Sequence, residues 1–166
     1  MRTLTAFPAA ASTHDRAGPS LRGPVARLAA LRATLARAPE SLFTLAFRIA
    51  VAAVFFKSGL VKIQSFETTV GLFRDEYKLP VLPPETAAYL GTAAELTLPV
   101  LVAAGLFARL GALGLLVMTA TIQFLVYPEN WAEHLMWASL LAWIVSRGPG
   151  VLSIDHLVAR RLFGLR

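Results

Sequence analysis

No cysteine occurs anywhere in the 166 residues. That excludes disulfides, thiol redox relays, Cys-ligated iron–sulfur clusters and Cys zinc sites, so any redox role must rest on a bound cofactor or a partner. Histidine is nearly as scarce. The three histidines, His14, His134 and His156, are scattered, which gives no metal site. Charge is low as well: 16% of residues are charged, where a soluble domain carries about 25%. No segment outside the apolar runs is large enough for a soluble domain with its own core.

Apolar sequence in long runs fills the space that these absences leave. Hydrophobic residues make up 56% of the chain and mean hydropathy is +0.61. This composition implies an integral membrane protein built from helices, with the lipid bilayer as its first partner. The formal net charge of +6 would suggest nucleic acid in a soluble protein. Here the basic residues flank the apolar runs, so they read as topology signals and contacts to anionic headgroups, and no nucleic-acid partner is expected.

Residues 1–40 form a basic arm, with six arginines against Asp15 and Glu40 and no signal-peptide core. The first half is expected to be disordered; an organelle transit peptide fits the same composition less well. From Val25 to Arg37, Leu28, Leu31 and Leu35 fall at helical spacing and predict a short amphipathic helix on the membrane surface. Residues 41–166 then carry four expected spans, at about 42–63, 86–106, 108–127 and 131–147. The fold class is therefore all-α: an integral membrane four-helix bundle with a disordered and amphipathic N-terminal arm. Between the first two spans, Pro80, Pro83 and Pro84 break regular structure, and Phe66–Tyr77 has the spacing of a short helix. The tail predicts a basic surface helix around Arg160 and Arg161.

Basic residues crowd the arm, the Arg109 link and the tail, while the first and third loops are acidic. Both termini are thus expected in the cytoplasm of a bacterium, with the bundle in its inner membrane.

The second span holds one charge, Glu95, near its middle. An acid at that depth costs about 2.5–3.5 kcal/mol on lenient insertion scales, which implies a partner or a proton. Helical phase puts Arg48, Ala52, Phe55, Gly59 and Lys62 on one stripe of the first span, with Lys57 on the opposite face. With each span centred in the bilayer, Arg48 and Lys57 bracket the depth of Glu95, about 7 Å to either side. Arg48, with its long stem and bidentate fork, is the expected partner of Glu95; Lys57 is second, or else snorkels outward. The pair could be a structural clamp or a site that handles a proton or ligand. Gln123 and His134, with Lys62 and the loop acids, are expected to line a polar vestibule at the outer end, walled by Trp137. Plainer readings also fit: Gln123 as an interhelical hydrogen bonder and His134 as a satisfied interface histidine.

Arg48, FFKSGLVKI (Phe55–Ile63), AAELTLPVLVAAGLFARLGAL (Ala93–Leu113) and the ending GPGVLSIDHL (Gly148–Leu157) together resemble the DoxX family of four-helix bacterial membrane proteins. The family pattern of Arg, Gly and Lys on helix one, Glu on helix two and a Gly–Leu–x–x–Arg turn falls on Arg48, Gly59, Lys62, Glu95 and Gly105–Arg109. SFETTVGLFRDEYKLPVLPPE and YPENWAEHLMWA resemble a branch found beside enzymes that modify and export small metal-binding peptides. The resemblance implies an accessory membrane subunit of a redox or peptide-maturation complex with periplasmic or cytoplasmic partners. Some members look like the membrane subunit of a thiosulfate:quinone oxidoreductase, and others accompany superoxide dismutase and a sulfurtransferase. No cofactor is evident from the residues, although a quinone at the Arg48/Glu95 level fits the chemistry. A quinone-handling oxidoreductase subunit and a small proton-coupled transporter are the alternatives. Self-contained catalysis is not expected, and self-association stays open.

Overall fold

The computed structural model describes residues 23–36 and 39–164. The expected disordered start of the arm lies outside them. Every regular element among the described residues is helical. Helix α1, Pro24–Ala36, belongs to a unit of its own, with Leu28 and Leu31 exposed.

The second unit contains the bundle. Helix α2 runs Glu40–Gln64, α3 Phe66–Leu72, α4 Pro84–Ala104, α5 Ala108–Thr121, α6 Trp131–Arg147 and α7 Ile154–Phe163. The four long helices close a ring in which α2 packs on α4, α4 on α5, α5 on α6 and α6 back on α2. Short links make α4, α5 and α6 run up and down in turn, while α2 reaches α4 through the longer segment that holds α3. Three helices are long and apolar enough to cross a membrane: α2, α4, and α5 with its extension to Val126. Helix α6 forms the fourth wall but has 17 residues, about 25 Å of rise, short of a full hydrocarbon core. Outward faces carry Ile49, Val61, Leu90, Val100, Val117 and Leu135, all exposed. Apolar groups directed outward are what a lipid solvent selects.

Helix ends depart from expectation by a few residues, for local reasons. Helix α2 starts at Glu40 behind Pro39, two residues before the expected limit of the first span. Pro84 occupies the first turn of α4, where its missing N–H is free of consequence. Pro99 leaves the helix continuous. Gly105, at φ 72°, ends α4 two residues before the expected limit. Its N–H reaches the Val102 carbonyl at 3.2 Å and Leu106 N–H the Leu101 carbonyl at 3.0 Å, the Schellman pairing.

That helix end receives Arg48. Its Nε donates to the Val102 carbonyl at 2.8 Å and Nη2 to that of Ala103. Nη1 donates to the Pro149 carbonyl at 2.9 Å and to Leu152 at 2.7 Å. Arg48 is 1% exposed, yet no carboxylate among the described residues pairs with it. Carbonyls left over at a helix C-terminus carry partial negative charge, and a guanidinium with its forked donors satisfies them. The expected Arg48–Glu95 pair is therefore wrong: Arg48 binds the end of α4 and the Gly-Pro-Gly turn.

The core below is dry and apolar, made by Val51, Phe55, Val102, Ala108, Ala112, Leu115, Leu141 and Ile144. Gly111 and Gly114 face Leu98 and Val102 of α4, which makes them packing positions within the bundle.

Arg48→Leu should lower stability by on the order of 3 kcal/mol or more, because it strands several buried carbonyls. Gly105→Ala should cost at least about 1–2 kcal/mol from its left-handed backbone alone. A Cβ there would also lie 2.6 Å from Arg48 Nη2. Thermal unfolding in detergent measures both; parent-like melting of Arg48→Leu would remove the capping role.

Candidate functional site

Glu95 takes a different cation from the one its depth suggested. Lys62 Nζ stands 2.8 Å from Glu95 Oε2 and 3.0 Å from Oε1, with both side chains under 10% exposed. Ser58 joins them: its hydroxyl donates to Glu95 Oε1 at 3.2 Å and accepts from Lys62 Nζ at 2.8 Å. Ser58 lies one helical turn before Lys62, so α2 presents both to α4. Gly59 makes the approach possible. A Cβ there would meet Glu95 Cβ and the Leu96 side chain at 3.0 Å. Glu95 is thus level with Gly59, not with the middle of α2, and lies beyond the reach of Arg48. Lys57 points away from the pair, exposed on the lipid side, and bonds to neither Glu95 nor Ser58.

Two buried polar oxygens lack a hydrogen-bond donor among the described residues: Thr92 Oγ1 and Glu95 Oε2. The second still has the Lys62 ammonium as its ion-pair partner, at 2.8 Å. Both belong to α4, one turn apart. A buried acceptor without a donor costs about 1–3 kcal/mol and marks a place where a donor can bind.

Glu95 opens on a cavity of about 440 Å³ at the end of the bundle opposite Arg48. Ser58, Lys62 and Glu95 form its polar wall. Leu90, Val117, Met118 and Ile122 form apolar walls, and Phe73, Tyr77, Tyr127 and Trp137 supply aromatic surface.

His134 stands on another wall with a defined tautomer. Gln123 Nε2 donates to the Pro128 carbonyl at 2.7 Å, and its Oε1 is 2.7 Å from His134 Nδ1. A carbonyl only accepts, so the amide nitrogen must face Pro128 and the amide oxygen must face the ring. Nδ1 therefore carries a proton, and in the neutral ring Nε2 is a free acceptor. His134 lines the cavity, and Trp137 lies against its ring at 5.1 Å between centroids.

Two π-helical turns frame the mouth, Phe73–Tyr77 after α3 and Ile122–Val126 after α5. Such wide turns often accompany functional sites. They bring the Tyr77 and Tyr127 rings to 5.8 Å, edge to face, and Tyr127 donates its hydroxyl to Glu76. Desolvation, then the bond to Glu76, pushes the Tyr127 phenol above its ordinary range, and burial does the same to Tyr77. Of the residues expected to share one site, Lys62, Glu95, Gln123, His134 and Trp137 fall at this end, Lys57 lies at the same level but outside the cavity lining, and Arg48 is at the opposite end. Ser58, Thr92, Tyr77 and Tyr127 were missed. Only Ser58, one turn from Lys62, left a readable signal.

The DoxX family model matches residues 43–128, just over half of the chain. The chain belongs to the DoxX family. The match spans α2 to the start of the α5–α6 turn, including the Lys62–Glu95 pair and both π-helical turns. No curated protein and no solved structure gives a significant match. Together with the three long apolar helices, membership makes this a membrane protein.

Glu95→Leu alone should cost this DoxX protein about 3–5 kcal/mol by stranding the ammonium, and Glu95→Leu with Lys62→Leu should cost less. A cycle of Glu95→Leu with Arg48→Leu should add within about 0.5 kcal/mol. Denaturation in mixed micelles measures the coupling; coupling to Arg48 and none to Lys62 would reverse the assignment.

A second expectation concerns alkaline pH. A phenol whose folded pKa is raised contributes stability below the unfolded value, about 10, that is lost as pH climbs through the folded value. Stability should fall above about pH 10, and less steeply in Tyr127→Phe. Identical alkaline slopes in parent and variant would rule this out.

Proposed function

We propose that this DoxX chain is an accessory membrane subunit whose cavity binds a membrane-soluble ring compound of the quinone class for a redox partner. The observation that carries the reading is the cavity: apolar and aromatic walls around a buried Lys62–Glu95–Ser58 cluster, with His134 lining the same space.

The donor set suits such a head group. Glu95 Oε2, held by Lys62, keeps a lone pair that can accept from a ring hydroxyl. Lys62 can donate to a ring carbonyl, and His134 Nε2 can accept a proton or hold a second hydroxyl. A bound quinone supplies the two-electron chemistry; the chain's residues bind it, orient it and hold protons beside its oxygens. Electrons come from the partner. A redox enzyme suits this cavity better than peptide-maturation machinery, since about 440 Å³ accommodates a ring head and not a length of peptide. Transport is the weaker reading, because a path to the opposite end would cross the dry layer of Val51, Phe55, Leu115 and Leu141. We place the protein in a bacterial inner membrane with the arginine-rich end in the cytoplasm, on the strength of its basic residues there.

A short-chain quinone titrated into the purified protein should quench tryptophan fluorescence saturably, since Trp137 lines the cavity. Affinity should fall at least about tenfold in His134→Phe and in Glu95→Gln, the loss expected for one buried polar contact. No saturable binding to the parent, or parent-like binding in both variants, would refute the quinone reading.

A further inference from the structure

The opposite end of the bundle has its own groove, of about 610 Å³, between the start of α5 and the Gly-Pro-Gly turn. Two guanidinium groups enter it. Arg109 lies against the bare face of Gly148: a Cβ there would sit 3.2 Å from Arg109 Nε and Nη2. Arg147 precedes that glycine, with its guanidinium 5.4 Å over the Trp143 ring and 4.0 Å from Glu40. His156 adds a third group that can carry positive charge.

The acids nearby leave Arg109 without an ion pair among the described residues. Asp155, in the groove wall, spends its carboxylate on the Phe107 N–H at 2.8 Å and the Ala108 N–H at 3.1 Å, capping α5. Glu40 touches Arg147 at the limit of ion-pair distance. Arg109 has no ion pair or hydrogen bond among the described residues. Arg109 is thus open to an anion in a groove that Arg147 also lines, and phosphate oxygens match the forked donors of a guanidinium.

Apolar surface adjoins the charge. Phe107 and Leu110, on the rim, are 61% and 66% exposed. Helix α7 extends away with Arg160 and Arg161 among exposed Leu157, Val158 and Leu162. An anionic head meeting paired arginines beside an apolar wall is the chemistry of a phospholipid at the membrane surface.

We infer that the Arg109–Arg147 groove is a binding site for the phosphate of an anionic phospholipid, with the acyl chains lying along Phe107 and Leu110. This site is independent of the cavity at the other end.

The test uses the full-length chain purified in neutral detergent. Melting temperature is followed against phosphatidylglycerol, against phosphatidylcholine of the same chains, and against inorganic phosphate. Phosphatidylglycerol should stabilise the parent saturably and more than phosphatidylcholine does. Its apparent affinity should fall at least about tenfold in R109Q/R147Q and about threefold in R147Q alone, as charge-assisted contacts are removed. R147Q keeps the test sound if the double variant fails to fold, since the Arg147 side chain is 64% exposed. R74Q, on the exposed Arg74–Glu85 pair at the other end, should behave as the parent. Equal stabilisation by phosphatidylcholine, unchanged affinity in the arginine variants, or full stabilisation by inorganic phosphate alone would each overturn the lipid assignment.

Discussion

Everything above the base of the bundle depends on one guanidinium and four carbonyls. Arg48 holds Val102 and Ala103 at the end of α4, and Pro149 and Leu152 in the turn after α6. Those bonds tie three of the four long helices at one level. Once α2 and α4 are fixed there, their antiparallel rise decides which residues meet higher up. Gly59 then faces Glu95, and Lys62, one turn further on, lies beside the carboxylate. The ion pair is thus a consequence of the register set at the arginine end. Its energy alone would be a poor guarantee of that register, since a buried pair returns little beyond the cost of its own desolvation.

The two ends solve the problem of buried polarity differently. At the base, Arg48 donates to four carbonyls and leaves no side-chain atom of its own unsatisfied. At the cavity, Lys62, Ser58 and Glu95 satisfy one another, while the described residues leave His134 Nε2 without a partner. A fold under selection for stability alone would fill such positions with apolar side chains. Polar groups beside an open space with aromatic walls are what the proposed occupant would use.

Much of this was readable from the chain. The four helices follow from apolar length, and the stripe Arg48–Ala52–Phe55–Gly59–Lys62 follows from phase; all five are buried in α2. The depth of Glu95 did not follow. Centring each span in the bilayer puts Glu95 level with residues 52–53 of α2, whereas close contact at Gly59 and the tie at Arg48 displace the two helices along each other. The sequence signals of that displacement were Gly59 and Gly105, small residues whose partners lie on another helix. The π-helical turns were invisible for another reason: a single extra residue per turn barely disturbs hydrophobic periodicity over five positions. Without those turns, Tyr77 and Tyr127 cannot be placed at one mouth.

The same geometry argues for division of labour along the membrane normal. A ligand in the cavity would contact α2, α4, α5, α6 and the segment after α3, so its binding energy is available to alter how those elements meet. The arginine end cannot follow such a change easily, because four carbonyl bonds, the Schellman turn and the Asp155 cap converge within a few residues of Gly105. Motion on binding is therefore directed to the mouth, where wide turns and a Tyr77–Tyr127 ring contact form the closure. A subunit that presents a ring compound to a partner, as we propose, requires a fixed base and an adjustable mouth, and this contrast between the two ends supports that proposal.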